Sequence, residues 1–350
     1  MQYKMSLLLD KIQQARDVEI WYNIMKFKMS LLLDKIQQAC DIEMWYNICK
    51  NFLKAKKEKT FYTEMKRLHM KRLLTIQDVS CVGQCSSTVA LPLVSACGVE
   101  CAVLPGALLS NHTGGFKSWT FADLTPEFAN IERKWLELGV KFDGFYTGYV
   151  CESQIDPILS IMESSAGPGA LRIVDPAMAD NGVLYAGFGP DFPSKMARLC
   201  RGADFILPNL TEAALLVGEK PVLEGYDESF IEGLVAKLHA LGAKNVVLTG
   251  VSFDKALLGS AVSDGKSVRY DFNPRFERMS HGTGDVYASV FAGAVLRGFD
   301  MLGAAALAAD FVCEALRLTD PGHWYGVSFE RAIPSLVSAI ASAESEGKAK

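Results

Sequence analysis

Two glycines and an acid, in His281-Gly282-Thr283-Gly284-Asp285, stand at the mouth of an apolar run over 286–299 and are the residues best placed to do chemistry. Glycine lets a backbone pass close to a phosphate, the first N–H groups of a helix have no partner inside it, and the helix dipole favours negative charge there. Gly282, Thr283 and Gly284 therefore read as an anion hole for a phosphoryl group. Asp285 adds a side chain that can accept a proton from an attacking hydroxyl while the loop neutralises charge on the transferring group. With a pKa of about 4, a carboxylate is a weak base for an alcohol, so proton transfer is expected late, after the oxygen has begun to bond to phosphorus. The motif points to a small-molecule kinase; an ordinary helix N-cap is the alternative reading of the same residues.

The surrounding sequence must hold this loop against a substrate. Short apolar runs at 73–79, 100–104, 142–147, 171–174, 205–207 and 246–248 alternate with helical patterns. That alternation predicts a mainly parallel sheet covered by helices on both faces, with ligands beyond the carboxyl ends of the strands. Polar residues fall there: Asp175-Pro176, Asn209 with Glu212, Thr249-Gly250 and Thr147-Gly148-Tyr149. Each alone reads as a loop cap, but jointly they describe a site. A hairpin is predicted from 256–262 and 267–272. Its Gly265-Lys266-Ser267 is no phosphate loop, because the P-loop pattern needs glycine where Ser260 stands and the segment lacks a strand-to-helix context. Cys81, Cys85, Cys97 and Cys101 repeat a C-x₃-C spacing and read as core or near-site thiols rather than zinc ligands.

A chain of 350 residues, 49% hydrophobic and 22% charged, can build one large α/β domain with residues left over. No apolar stretch approaches the ~20 residues that span a bilayer, and the leucines at 7–9 are too few for a signal-peptide core. Nine cysteines, an odd number scattered along the chain, read as reduced thiols, so a cytoplasmic protein is expected. The net charge of −4 hides an asymmetry: residues 1–72 carry 15 Lys and Arg against 8 Asp and Glu, the remainder 21 against 32. The basic part reads as a solvated helical face rather than a surface for nucleic acid or membrane. Residues 5–27 recur as 29–51 with five of 23 positions changed. An offset of 24 residues leaves about 240° beyond whole helical turns, so the copies cannot share a face on one straight helix, and a helical hairpin is expected. Residues 1–69 are thus assigned to a duplicated helical extension and 70–350 to the catalytic domain. Met70-Lys71-Arg72 ahead of the first strand reads like an enzyme start, which favours an added or misassigned extension over a partner surface built on Trp21-Tyr22 and Trp45-Tyr46.

Five motifs in order carry a resemblance: Ser110-Asn111-His112-Thr113-Gly114, Thr147-Gly148-Tyr149, Val174-Asp175-Pro176-Ala177-Met178-Ala179-Asp180, Pro208-Asn209-Leu210-Thr211-Glu212 and the anion-hole loop. From about residue 70 to 342 the chain resembles the pyridoxal/pyridoxamine kinases of the ribokinase superfamily, which phosphorylate the 5′-hydroxymethyl group of vitamin B6 with MgATP. The resemblance implies a ribokinase-like three-layer αβα sandwich with a mainly parallel central sheet. It implies Asp285 as base and the backbone N–H groups from Gly282 through Thr283 and Gly284 to Asp285 as the phosphoryl cradle. Asp175, Asp180, Asn209 and Glu212 match positions around Mg²⁺ and the ATP phosphates, with Asp175, Asp180 and Glu212 toward the metal through bound water, because Mg²⁺ sheds water reluctantly. Thr249 matches a nucleotide-contacting position, while Thr113, Tyr149 and His281 line the pyridine side. A monovalent cation such as K⁺ and a homodimer also belong to what the resemblance implies.

One position departs from the family. Where Ile-Gln-Ser is common, this chain has Ile76-Gln77-Asp78, and a carboxylate there can accept from the ring 3-hydroxyl or pair with a protonated ring nitrogen or amine. Pyridoxamine or pyridoxine is therefore expected to serve at least as well as pyridoxal. The nearest alternative is a hydroxymethylpyrimidine kinase, which usually carries cysteine at the position of Asp285. A sugar kinase fits less well, because Phe116, Trp119 and Tyr149 suit a flat ring better than sugar hydroxyls. A non-catalytic scaffold using the repeated helices is the alternative from another class.

Overall fold

The computed structural model describes residues 70–277 and 280–346; the repeats and the extension assigned to 1–69 lie outside the described residues. From Met70 onward the chain forms one compact unit. Its strands are β1 (Arg72–Ser80), β2 (Glu100–Leu109), β3 (Phe121–Asp123), β4 (Phe142–Thr147), β5 (Ala166–Val174), β6 (Ala179–Asp180), β7 (Val183–Leu184), β8 (Phe205–Ile206), β9 (Val246–Val251), β10 (Leu257–Ser263) and β11 (Val268–Pro274). Its helices are α1 (Ser87–Ala96), α2 (Phe128–Leu138), α3 (Ile155–Ser164), α4 (Phe192–Cys200), α5 (Leu210–Leu216), α6 (Glu228–Leu241), α7 (Thr283–Leu296), α8 (Met301–Leu318) and α9 (Ile333–Ser345).

Nine strands form one sheet in the order β11-β10-β9-β8-β5-β4-β1-β2-β3, and β6 pairs with β7 in a separate ribbon. The six expected strands, β1, β2, β4, β5, β8 and β9, pair parallel through the centre. Antiparallel strands finish both edges: the expected hairpin β10–β11 beside β9, and β3 beside β2. Alternation along the strands explains the three layers, because successive side chains leave opposite faces of a sheet. Leu74, Ile76, Phe145, Val174, Val246 and Leu248 pack into the core under α2 to α6. Leu73, Tyr146, Ile173 and Val247 enter the other core, under α1, α7, α8 and α9. Strands buried on both faces read as continuous apolar runs, which is why the sequence located them.

Helix α7 packs against both α1 and α8, so its buried residues run almost without interruption from Val286 to Leu296. Cys85 and Cys97 are buried free thiols, and among the described residues no group of three His, Cys, Asp or Glu is arranged to hold a metal. Among the described residues no helix is long and apolar enough to cross a membrane.

Candidate active site

Gly282 caps α7 in the left-handed conformation, φ 81°, and a Cβ there would strike the carbonyl oxygen of Gln84. Glycine is required on both counts. The first bond within the helix runs from the Val286 N–H to the Gly282 carbonyl at 3.0 Å, so the N–H groups of Thr283, Gly284 and Asp285 precede any helical acceptor. They lie at the positive end of the dipole, beyond the carboxyl ends of the parallel strands. The loop from β1 to α1 closes over this end. The backbone N–H of Ser86 donates to the Asp285 carboxylate, and the Ser86 hydroxyl reaches Asp78. Ser86 itself has φ 50° and ψ −135°, a conformation costly for a residue with a Cβ, and these contacts on either side of it oppose that cost.

Acids converge here from two strand ends and a helix start. Asp78, 5% exposed, lies in β1 opposite a bulge in β2 and accepts from the Ser80 hydroxyl at 2.9 Å. Burial pushes its carboxyl above the ordinary range despite that bond and the one from Ser86. Burial, then the charges of Glu212 and Asp285, raise Asp175 well above its usual value. Asp285, partly open to the cleft yet enclosed by protein, is pushed up to about 7 by burial, with the Ser86 N–H opposing and the charge of Asp78 adding. Desolvation makes Asp285 a stronger base than an exposed carboxylate, yet still far weaker than an alkoxide, which keeps proton acceptance late in the transfer.

Asn209 and Glu212 cap a helix and hold a loop. The Asn209 side chain accepts from the Glu212 N–H at 2.9 Å, while Glu212 Oε2 accepts from the Asn209 N–H at 2.9 Å, a reciprocal cap on α5. Glu212 Oε1 accepts from the Met178 N–H at 3.1 Å, and Asn209 Nδ2 donates to the Ala179 carbonyl at 2.9 Å. Together they lock the loop that follows Asp175. Glu212 is 3% exposed, and burial lifts its carboxyl to about 8 in spite of those N–H donors. Asp180, in the β6–β7 ribbon, accepts from the Asn181 N–H at 2.8 Å. Asp175, Asp180 and Glu212 share a neighbourhood without forming a direct three-ligand metal centre. Thr249 bridges to Asn209 and donates to the Pro208 carbonyl at 3.3 Å.

Of the residues expected on the vitamer side, Asp78 lies in β1, and Thr113, Tyr149 and His281 lie on loops. Tyr149 stacks on Phe188 at 5.2 Å, and Phe188 on Phe192 at 3.9 Å, along a cavity of about 800 Å³ that also takes Trp119 and Phe121. That cavity touches the site through Tyr149 and does not include Asp285. Thr113 belongs to the loop after β2, where the rings of His112 and His281 meet edge-on at 5.7 Å beside Gly114. Burial and the neighbouring His281 lower His112 to about 4. Sequence reasoning missed Ser86, Gln84 and Tyr185. The Tyr185 phenol lies close enough to Glu212, Asp175, Asp180 and Asp285 to feel all four charges, yet no local pattern marks it.

A parallel sheet that gathers acids at its strand ends, before a glycine-capped helix N-terminus, is the build of a phosphoryl-transferring enzyme of the ribokinase superfamily. Residues 94–327 match the phosphomethylpyrimidine kinase family, and the chain belongs to that family. It is 30% identical to a structure from Bacteroides thetaiotaomicron, described as a phosphomethylpyrimidine kinase and solved with pyridoxal, with a TM-score of 0.72 over 77% of this chain and 96% of that one. The pyridoxal kinase of Lactobacillus plantarum gives 30% identity and a TM-score of 0.71 over 77% of this chain and 98% of its own. The pyridoxal kinase of Dictyostelium discoideum is 27% identical over 65% of this chain and 78% of its own. The thiamine biosynthetic bifunctional enzyme of Arabidopsis thaliana is 30% identical over 65% of this chain, which spans 42% of that longer protein.

Proposed function

We propose that this chain transfers the terminal phosphoryl group of ATP to the 5′-hydroxymethyl group of pyridoxal, pyridoxamine or pyridoxine. The observation that carries the reading is Asp285 in the first turn of α7, behind the left-handed Gly282 cap, where burial makes its carboxyl more basic than usual. The vitamer's hydroxyl oxygen attacks the γ-phosphorus, the bond to the β–γ bridging oxygen breaks, and ADP leaves. The hydroxyl proton passes to Asp285. The N–H groups of Thr283, Gly284 and Asp285 hold the phosphoryl oxygens as charge spreads over them. Asp175 and its neighbours are acids that repel one another, which fits a divalent cation brought in on the nucleotide. Mg²⁺ bound there, near Asp175 and Asp180 through water, would neutralise phosphate charge, while Glu212 and Asn209 keep the Asp175 loop in place. K⁺ is an optional companion. Thr249 lies on the nucleotide side; Asp78, Thr113, Tyr149 and His281 lie on the vitamer side.

The same reading takes the protein as a cytoplasmic homodimer acting on small molecules, with neither nucleic acid nor membrane as a partner, and residues 1–69 as an extension dispensable for catalysis. A hydroxymethylpyrimidine kinase is the second reading, favoured by the family match and by 33% identity over 116 residues to the hydroxymethylpyrimidine/phosphomethylpyrimidine kinase of Aquifex aeolicus. A coupled assay of ADP release with the three vitamers and hydroxymethylpyrimidine, on the full chain and on a chain beginning at Met70, separates them. B6-dependent turnover by both chains supports the first reading. Turnover with the pyrimidine alone replaces it, and no turnover with any of the four returns the scaffold reading.

A further inference from the structure

Two aromatic residues far apart in sequence meet beside His281. Phe116, on the loop after β2, lies 4.8 Å from Trp324 and 6.1 Å from Tyr325, ring centre to ring centre. Gly115 is squeezed between the site and this pair, because a Cβ on it would lie 3.4 Å from His281 Nε2 and 3.6 Å from Trp324 Cζ3. His281 immediately precedes the cap of α7, so the rings stand at the vitamer-side mouth of the anion hole.

The segment carrying Trp324 is tied to the same end of the helix. His323 Nε2 lies 2.6 Å from Gln84 Oε1, while Gln84 Nε2 donates to both Glu330 oxygens, at 2.9 and 2.8 Å. The carbonyl of the same Gln84 abuts Gly282, and Gly326 packs against the Gln84 side chain. Trp324 is nevertheless 58% exposed. An indole held on an anchored loop near His281, with much of its surface in water, offers a flat heteroaromatic ligand an offset-stacking partner at little cost in ordering.

Resting on the function proposed above, we infer that Phe116 and Trp324 form the outer wall of the vitamer site, and that Trp324 is a substrate-positioning residue that grips the pyridine ring. The test is Trp324→Ala, with steady-state kinetics in which vitamer and ATP are varied separately. The vitamer KM is expected to rise about tenfold while kcat, the ATP KM and the melting temperature stay within error; Trp324→Phe should recover most of the loss. Titrating pyridoxine into the ATP-free enzyme should quench tryptophan fluorescence in the wild type, and Trp324→Phe should lose that quench. An unchanged vitamer KM in Trp324→Ala, or an equal rise in both KM values, overturns the inference while leaving the kinase reading intact. A wild type that consumes no ATP with any vitamer sinks both.

Discussion

Asp285→Asn should make the protein more stable and almost inactive. The side chain keeps its shape and an oxygen to accept from Ser86, but loses the charge and the basicity. Its carboxyl rises from 3.8 to about 7 on folding, so the folded state holds a proton that the unfolded state releases between those values. Stability contributed by this group therefore falls as pH climbs from about 4 to 7 and stays at its low level above, a cost of at most about 4 kcal/mol at pH 8. Asp285 is partly open to the cleft, so water keeps part of that energy and about 1–2 kcal/mol is a realistic gain for the variant. In a domain of this size that is a rise of roughly 2–8 °C, larger at pH 8 than at pH 5. Turnover should fall by about 10²–10⁴, the usual worth of a positioned general base. Thermal melts at the two pH values and the coupled ADP assay measure both effects. A melting point that drops at pH 8, or rises equally at both, refutes the buried-charge reasoning. A kcat within tenfold of the wild type refutes the role of the base.

Three further outcomes follow from the same geometry. In the wild type, kcat/KM should increase with pH through an apparent value near 7, and a profile flat from pH 5.5 to 8.5 would place proton transfer elsewhere. Gly282→Ala should cost about 1–3 kcal/mol in denaturant melts and most of the activity, because the new methyl meets the Gln84 carbonyl at a left-handed φ; native-like stability and rate would mean the loop yields. Comparing kcat/KM across the vitamers should show pyridoxamine or pyridoxine used at least as well as pyridoxal, a preference that Asp78→Ser should weaken. Pyridoxal ahead by tenfold, about 1.4 kcal/mol, would count against a discriminating role for Asp78.

The central strands were legible because strands buried on both faces leave uninterrupted apolar runs: 142–147 was placed without error, and 246–248 was found but cut short of Val251. The edges were not. β3 is a three-residue strand exposed along its length, and β6 and β7 are two residues each, too short to show a period. At the site, Asp285, Gly282 and the residues at the strand ends could be read because chemistry and local backbone coincide there. The hydrogen bond that Glu212 accepts from the Met178 N–H was not legible, since it is a contact across 34 positions. Ser86, Gln84 and Trp324 matter only through tertiary neighbours. The upward shift of the Asp285 carboxyl was not legible for the same reason, as desolvation belongs to the assembled cleft rather than to any residue type.

The two halves of the cleft rest on unlike foundations. The phosphate end belongs to α7, wedged between α1 and α8 with hardly an open face, where a substitution disturbs packing throughout that layer. The end proposed for the ring hangs on connecting segments, 110–119 and 320–326, whose residues are mostly half-buried or exposed. On the proposed function, changes in those segments would alter recognition of the flat alcohol while sparing the packing that holds the transfer site.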